Sequence, residues 1–299
     1  MLYVSRWLTC ILFSMFLLQA CSDSSDRSLK KDPALTQAEA AAIAAMDAHM
    51  EGRNANDAEQ VAAANNYPHA RIGLGQTTIY DTYEIFLAIQ ESIIVPSFIA
   101  DPEWHHSVWD ELKVVHSTPH KVHIAARFSR VNVEGVPYLS TDTFWIQTKQ
   151  EEHWGTKMKS SFVEEAGESR AGVDEAEAAA LVVLESYLDR LNSRDSEGIA
   201  ELVHYPLVFL QNVELIAFHT PEDFISYLEN TVIKDLDYAE WQHSDLENVV
   251  VLQSSPNKVH LVMSCDHLNV VGDSCGQLNE FWVITKEDGR WAIRGLSSL

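Results

Sequence analysis

Positive charge is in short supply in this chain. Its 299 residues carry 21 Lys and Arg against 44 Asp and Glu, a formal net charge of -23. A nucleic-acid partner requires a phosphate-neutralising basic surface, so none is expected. Glycine (12) and proline (9) are too few for a collagenous or low-complexity chain. A composition of 46% hydrophobic and 22% charged residues excludes a multi-span membrane protein, and the apolar run at residues 7–18 falls short of the ~20 residues that span a bilayer. Metal motifs are missing too. His105, His106, His116, His120 and His123 are dense, but no HExxH or CxxC pattern accompanies them, and Gly73-Leu-Gly75 is too short for a phosphate loop. No metal and no cofactor are expected.

The N-terminus reads as an address. Arg6 precedes the apolar run, which has the length of a secretory h-region. The run ends in Leu18-Gln19-Ala20-Cys21, which resembles the lipobox of bacterial lipoproteins. That resemblance implies removal of residues 1–20 and acylation of Cys21. The acyl chains would hold the protein to the lipid bilayer of the cell envelope. Ser22 follows the cysteine, which by the same resemblance favours the outer membrane, facing the periplasm. Residues 21–35, polar after the cysteine and without apolar period, read as a tether.

The remainder is one unit written twice. At an offset of 138, Ala38-Glu-Ala-Ala-Ala42 matches Ala176–Ala180, Asn54 matches Asn192, and Tyr67-Pro68 matches Tyr205-Pro206. At an offset of 137, Lys121-Val-His123 matches Lys258-Val-His260, Phe144-Trp145 matches Phe281-Trp282, and Trp154 matches Trp291. These matches divide the chain into residues 36–162, a linker at 163–173, and residues 174–299. Each copy reads as three helices followed by β-branched and aromatic strands. The capping-box starts lie at Thr36 and Asp174, and a third helix begins at Thr82 or at Thr220-Pro221. This order predicts an α+β class, three helices packed on one face of a curved, mostly antiparallel sheet in each copy.

Each copy resembles a nuclear transport factor two-like domain, the superfamily that includes ketosteroid isomerase and the SnoaL-like polyketide cyclases. The resemblance rests on the element order, on residues 191–200 (LNSRDSEGIA), and on the Tyr-Pro and Lys-Val-His motifs. It implies cone-shaped domains that commonly pair through their sheets, so the two copies are expected to pair with each other, with Trp145 and Trp282 as candidate contacts. The cone hosts enzymes and binding modules alike, so it settles no activity. Tyr187 stands where the isomerases carry an oxyanion donor, yet neither first strand offers a carboxylate base. A core or pocket-wall tyrosine is the preferred reading there.

Differences between the copies point to a site. His69, Arg71, Trp109, Arg127 and Arg130 are replaced by Leu207, Phe209, Leu246, Ser264 and His267. By period-2 alternation Tyr67, His69 and Arg71 share one side of their strand, and His123 and Arg127 share a side of theirs. If both sides face inward, Tyr67, His69, Arg71, Trp104, Trp109, His123 and Arg127 form a cationic, aromatic-walled pocket. It would suit a small anionic amphiphile, while the second copy holds an apolar pocket. If they face solvent or the other copy, no such pocket exists. The favoured function is a membrane-anchored binding or interaction module. The alternative is a small-molecule hydrolase, dehydratase or isomerase using His69, Asp110 and Tyr187. Cys265 and Cys275 flank a turn and are either bridged or two buried thiols.

Overall fold

The computed structural model describes residues 33–73, 76–101, 103–162 and 171–298, with the backbone alone for 93–100. The signal segment, Cys21, most of the tether and residues 163–170 of the linker lie outside the described residues.

Two six-stranded sheets, each with its own helices, make an α+β protein. In the first half, α1 (Pro33–Ala55) and α2 (Ala58–Ala63) precede β1 (Asn65–Gly73) and β2 (Gln76–Tyr80). Helix α3 (Tyr83–Ala100) leads into β3 (His106–Ser117), β4 (Lys121–Val131), β5 (Pro137–Gln150) and β6 (His153–Ser161). The second half repeats this with α4 (Val173–Asn192), α5 (Ser196–Glu201), β7 (Val203–Gln211) and β8 (Glu214–Phe218). Helix α6 (Pro221–Tyr227), a π-helical turn (Leu228–Val232) and α7 (Ile233–Tyr238) replace the single α3. Strands β9 (Trp241–Ser255), β10 (Lys258–Asn269), β11 (Ser274–Glu287) and β12 (Arg290–Ser298) complete it. The sheet orders are β2-β1-β6-β5-β4-β3 and β8-β7-β12-β11-β10-β9, antiparallel except for the β1/β6 and β7/β12 pairs.

Local chemistry accounts for the helix starts. Asp57 and Asp195 accept from the backbone N–H of Gln60 (2.9 Å) and Gly198 (2.8 Å), satisfying donors that a first turn leaves open. Thr220 caps α6 at Asp223, with Pro221 at the first helical position. Helix α1 begins at Pro33, three residues before the capping box at Thr36.

The concave face of each sheet closes over its helices. Ala38, Ala42, Met46, Ile124 and Trp145 form the first of these cores, and Ala180, Leu184, Leu261 and Trp282 belong to the second. The other face of each sheet meets its counterpart. Ile72, Ala125, Phe144, Ile146 and Met158 pack with Val208, Leu210, Phe281 and Val283 in one dry cluster. Two pairs of polar contacts across this layer are reciprocal, while Gln253 Nε2, donating to the Ala126 and Thr143 carbonyls at 3.1 Å each, has no counterpart from His116 among the described residues. Lys121 Nζ donates to the Ser298 carbonyl, and Lys258 Nζ to the Ser161 carbonyl at 2.8 Å. His123 Nε2 meets Ser297 Oγ at 3.1 Å, and His260 Nε2 meets Ser160 Oγ at 2.7 Å. Equivalent residues exchanging equivalent contacts define a twofold arrangement within one chain.

Three expectations are corrected here. Trp145 and Trp282 lie in the cores of their own halves; their neighbours Phe144 and Phe281 face the layer between the sheets. His123 therefore lies between the halves, away from any pocket. Cys265 and Cys275 are free thiols, because the hairpin register pairs Cys265 with Leu278, three residues from Cys275, whose Sγ lies beside the His267 carbonyl. One asymmetry breaks the pseudo-symmetry of the layer. Gly295 occupies the place of Met158, and a Cβ there would stand 2.6 Å from Ile72 Cδ1.

Candidate functional site

The concave face of the first sheet and helices α1 and α3 enclose a cup of about 250 Å³. Alternation on β1 turns His69 and Arg71 into it, and Lys159 arrives from the paired strand β6, in register with Arg71. Helix α1 supplies His49 and Arg53 one turn apart, and α3 supplies Gln90. Trp104, Trp109, Phe86, Phe128 and Trp145 wall the space.

Four of the seven expected pocket residues, His69, Arg71, Trp104 and Trp109, line this cup. Three do not. Tyr67 turns its hydroxyl to the Ala62 carbonyl (2.8 Å) and packs against Tyr83 and Phe86. His123 belongs to the layer between the sheets. Arg127 lies on that same side of β4, 45% exposed, and pairs with Asp142 at 2.8 Å. Alternation correctly placed His123 and Arg127 together; the side they share is the convex one.

Missed at first were Arg53, Lys159, Gln90 and His49. Their counterparts in the second half are Leu191, Leu296, Leu228 and Tyr187. Polar against apolar at equivalent positions was the signal that could have found the first three.

The electrostatics of the cup are one-sided. Arg53, Arg71 and Lys159 are half-buried in it, and among the described residues no carboxylate lines it. Burial first, then Arg71 and Arg130, pushes the Arg53 guanidinium down to about 10. Burial, then Arg71 and Arg53, holds Lys159 well below the usual lysine range; its ammonium rests 4.0 Å above the Trp145 ring. Arg130, at the edge, is already paired with Asp101 at 2.5 Å. Three buried polar atoms of the cup, His49 Nδ1, Gln90 Nε2 and Trp109 Nε1, have no hydrogen-bond partner among the described residues. Two of these can only donate. A buried donor left unmade costs ~1–3 kcal/mol, so a cup with several, ringed by unpaired cations, is built for acceptor oxygens.

The alternative catalytic set does not assemble. His69 Nδ1 lies 3.0 Å from the Thr156 carbonyl, and burial, then Arg71, lowers its imidazole to about 3, too weak a base at neutral pH. Asp110 sits on the exposed face of β3, accepting from Ser129 Oγ at 2.6 Å. Tyr187 belongs to the second half, where it stacks edge-on against Trp282. Residues 272–276 (GDSCG) have the spacing of a nucleophile elbow, but they form part of the β10–β11 hairpin instead of a strand-to-helix turn. Its Ser274 donates to Asp266.

The second half encloses a cup of its own, about 200 Å³, lined by Phe209, Phe224, Leu228 and Leu296. It is not wholly apolar as expected, for Glu280 of β11 lines it beside Tyr187.

No protein-family model matches the chain, and neither does any curated protein. Solved structures do. A protein of Novosphingobium aromaticivorans, described as NTF2-like with a cystatin-like fold, aligns at 11% identity and a TM-score of 0.36, covering 44% of this chain and 86% of its own. A ketosteroid isomerase-like protein of Erwinia carotovora aligns at 16% identity and a TM-score of 0.31, covering 41% and 93%. A hexachlorocyclohexane dehydrochlorinase of Novosphingobium barchaimii aligns at 15% identity and a TM-score of 0.33, covering 42% and 86%.

Proposed function

We propose that this chain is a lipid-anchored, periplasm-facing binding protein whose first half holds a small amphiphile bearing a carboxylate or phosphate. The observation that carries this reading is the set of Arg53, Arg71 and Lys159, gathered in one cup without a matching carboxylate among the described residues. A ligand oxyanion supplies the missing charge and accepts from Gln90 and Trp109, while its apolar part lies against the Trp104, Trp109 and Phe86 walls. The anchor is the proposed acylation of Cys21, and the polar residues after it give the cups reach from the bilayer.

Octyl phosphate titrated into the protein by calorimetry tests the cup. Saturable binding that Arg71→Leu and Lys159→Leu each weaken at least tenfold supports the reading; affinity unaltered by both variants overturns it. Mass spectrometry of the membrane-extracted protein tests the anchor, through the presence or absence of acyl mass on Cys21.

A further inference from the structure

We infer that the second cup is a separate binding site for a small apolar molecule carrying an amine, with the Glu280 carboxylate holding the ammonium. The cup has the opposite character to its twin. Where the first carries Arg53, Arg71 and Lys159, the second carries Leu191, Phe209 and Leu296, and among the described residues no Lys or Arg lines it. Where the first has the neutral Thr143, the second has Glu280, only 5% exposed.

The neighbouring tryptophan does not account for this carboxyl. Trp282 Nε1 donates to Glu280 Oε2 at 2.9 Å, but in the first half Trp145 Nε1 is satisfied by the Thr143 hydroxyl at 2.8 Å. A hydroxyl suffices there, and burying a carboxylate costs several kcal/mol more than burying a hydroxyl. The other oxygen of Glu280 has no hydrogen-bond partner among the described residues, and the side chain borders the cavity. An ammonium entering the cup completes that pair.

The groups facing Glu280 come from every element around it. Tyr187 of α4, Tyr227 of α6 and Cys265 of β10 are uncharged neighbours at neutral pH, and His267 of β10, which also lines the cup, is held below the usual histidine value by burial. Lys121, reaching over from the first half, is the cation that acts on it, and its ammonium is already engaged with the Ser298 carbonyl. Asp235, exposed at the mouth, adds a second negative charge along the way in. The π-helical turn at Leu228–Val232 lends Leu228, Thr231 and Val232 to the cavity wall; such turns recur at functional sites. Burial raises the Glu280 carboxyl to about 7, so its ionised fraction grows steeply between pH 6 and 8.

The test is calorimetric titration of the full chain with octylamine, 1-octanol and octanoate, in the wild type, Glu280→Gln and Thr231→Trp. An alkylamine stays protonated throughout this range, as lysine does. At pH 8 octylamine is expected to bind the wild type at least tenfold tighter than octanol, and about tenfold weaker at pH 6. Glu280→Gln abolishes both the preference and its pH dependence, and Thr231→Trp, which obstructs the mouth, weakens amine and alcohol together. Octanoate competing with octyl phosphate in the first cup leaves the octylamine affinity unchanged. Equal affinity for amine and alcohol in the wild type overturns the assignment whether or not a variant folds, as does an amine preference that survives Glu280→Gln.

Discussion

Phe144 and Phe281 lie face to face, their ring centroids 3.6 Å apart and their planes 6° from parallel. They are equivalent positions of the two copies, and a residue can touch its own equivalent only where a twofold axis passes. The stack therefore marks the centre of the layer between the sheets. Phe144→Ala opens a void there that neither half can fill, and is expected to cost about 3–5 kcal/mol in urea denaturation. Because the rings share one contact, the double variant with Phe281→Ala should cost clearly less than the two single changes together.

Arg71 has no acidic partner in its cup among the described residues. Arg71→Leu leaves no carboxylate stranded and relieves repulsion from Arg53 and Lys159. Stability should stay the same or rise by about 1 kcal/mol, although a side chain of the core face has been replaced. Phe209 at the equivalent position already shows an apolar residue accommodated there. A melting temperature several degrees lower would mean that Arg71 is paired after all.

Burial holds His49, His69, His123 and His260 neutral in the fold, each below its ordinary value, His69 at about 3. Unfolding frees them to take protons near pH 6.5. Their contribution is complete above that value and is lost as the pH falls through it, at about 1.4 kcal/mol per pH unit for each histidine. Glu280 works in the other direction. Raised to about 7, it favours the fold below pH 4.5 and loses that contribution as the pH rises through 7. Denaturation midpoints should thus fall steeply below pH 6, and Glu280→Gln should stabilise the protein by roughly 3 kcal/mol at pH 8 while changing little at pH 5.

Cys265 is fully buried, and burial pushes its thiol up to about 12; Cys275 is half-buried near the hairpin. A chromogenic thiol reagent should titrate Cys275 in the folded protein and Cys265 only after denaturation. Reductant should leave the melting temperature unchanged. A reduction-sensitive melting temperature would require a bridge that the strand register forbids.

Much of the architecture was legible because duplication supplies its own internal comparison. The constant offset separated the copies, and β1 yielded His69 and Arg71 because its inward positions carry charge where the second copy is apolar. Strand β4 resisted the same treatment. Its residues 121–126 are all buried, since one side faces the first cup and the other the second half. Alternation then groups His123 with Arg127 without saying which side is concave. Glu280 escaped for a related reason, since β11 is buried on both sides from Glu280 to Thr285. Arg53 and Lys159 needed no new principle, only the same copy-against-copy test applied to α1 and β6. The bridge between the cysteines needed a turn centred on residue 270; the turn is centred on Val271 and a bulge adds one more residue of offset, so Cys265 faces Leu278.

The hole at Gly295 has a consequence for how the halves recognise each other. Ile72 fills it, while the equivalent position in the first half carries the bulky Met158 against a layer that includes Leu210. Ile72 thus sits over a glycine on one side of the axis, while its counterpart Leu210 shares the layer with a methionine on the other, so the two sides of the seam are packed differently. Within one chain the copies need not be self-complementary, and at Gly295 the seam has the freedom to differ from one side of its axis to the other.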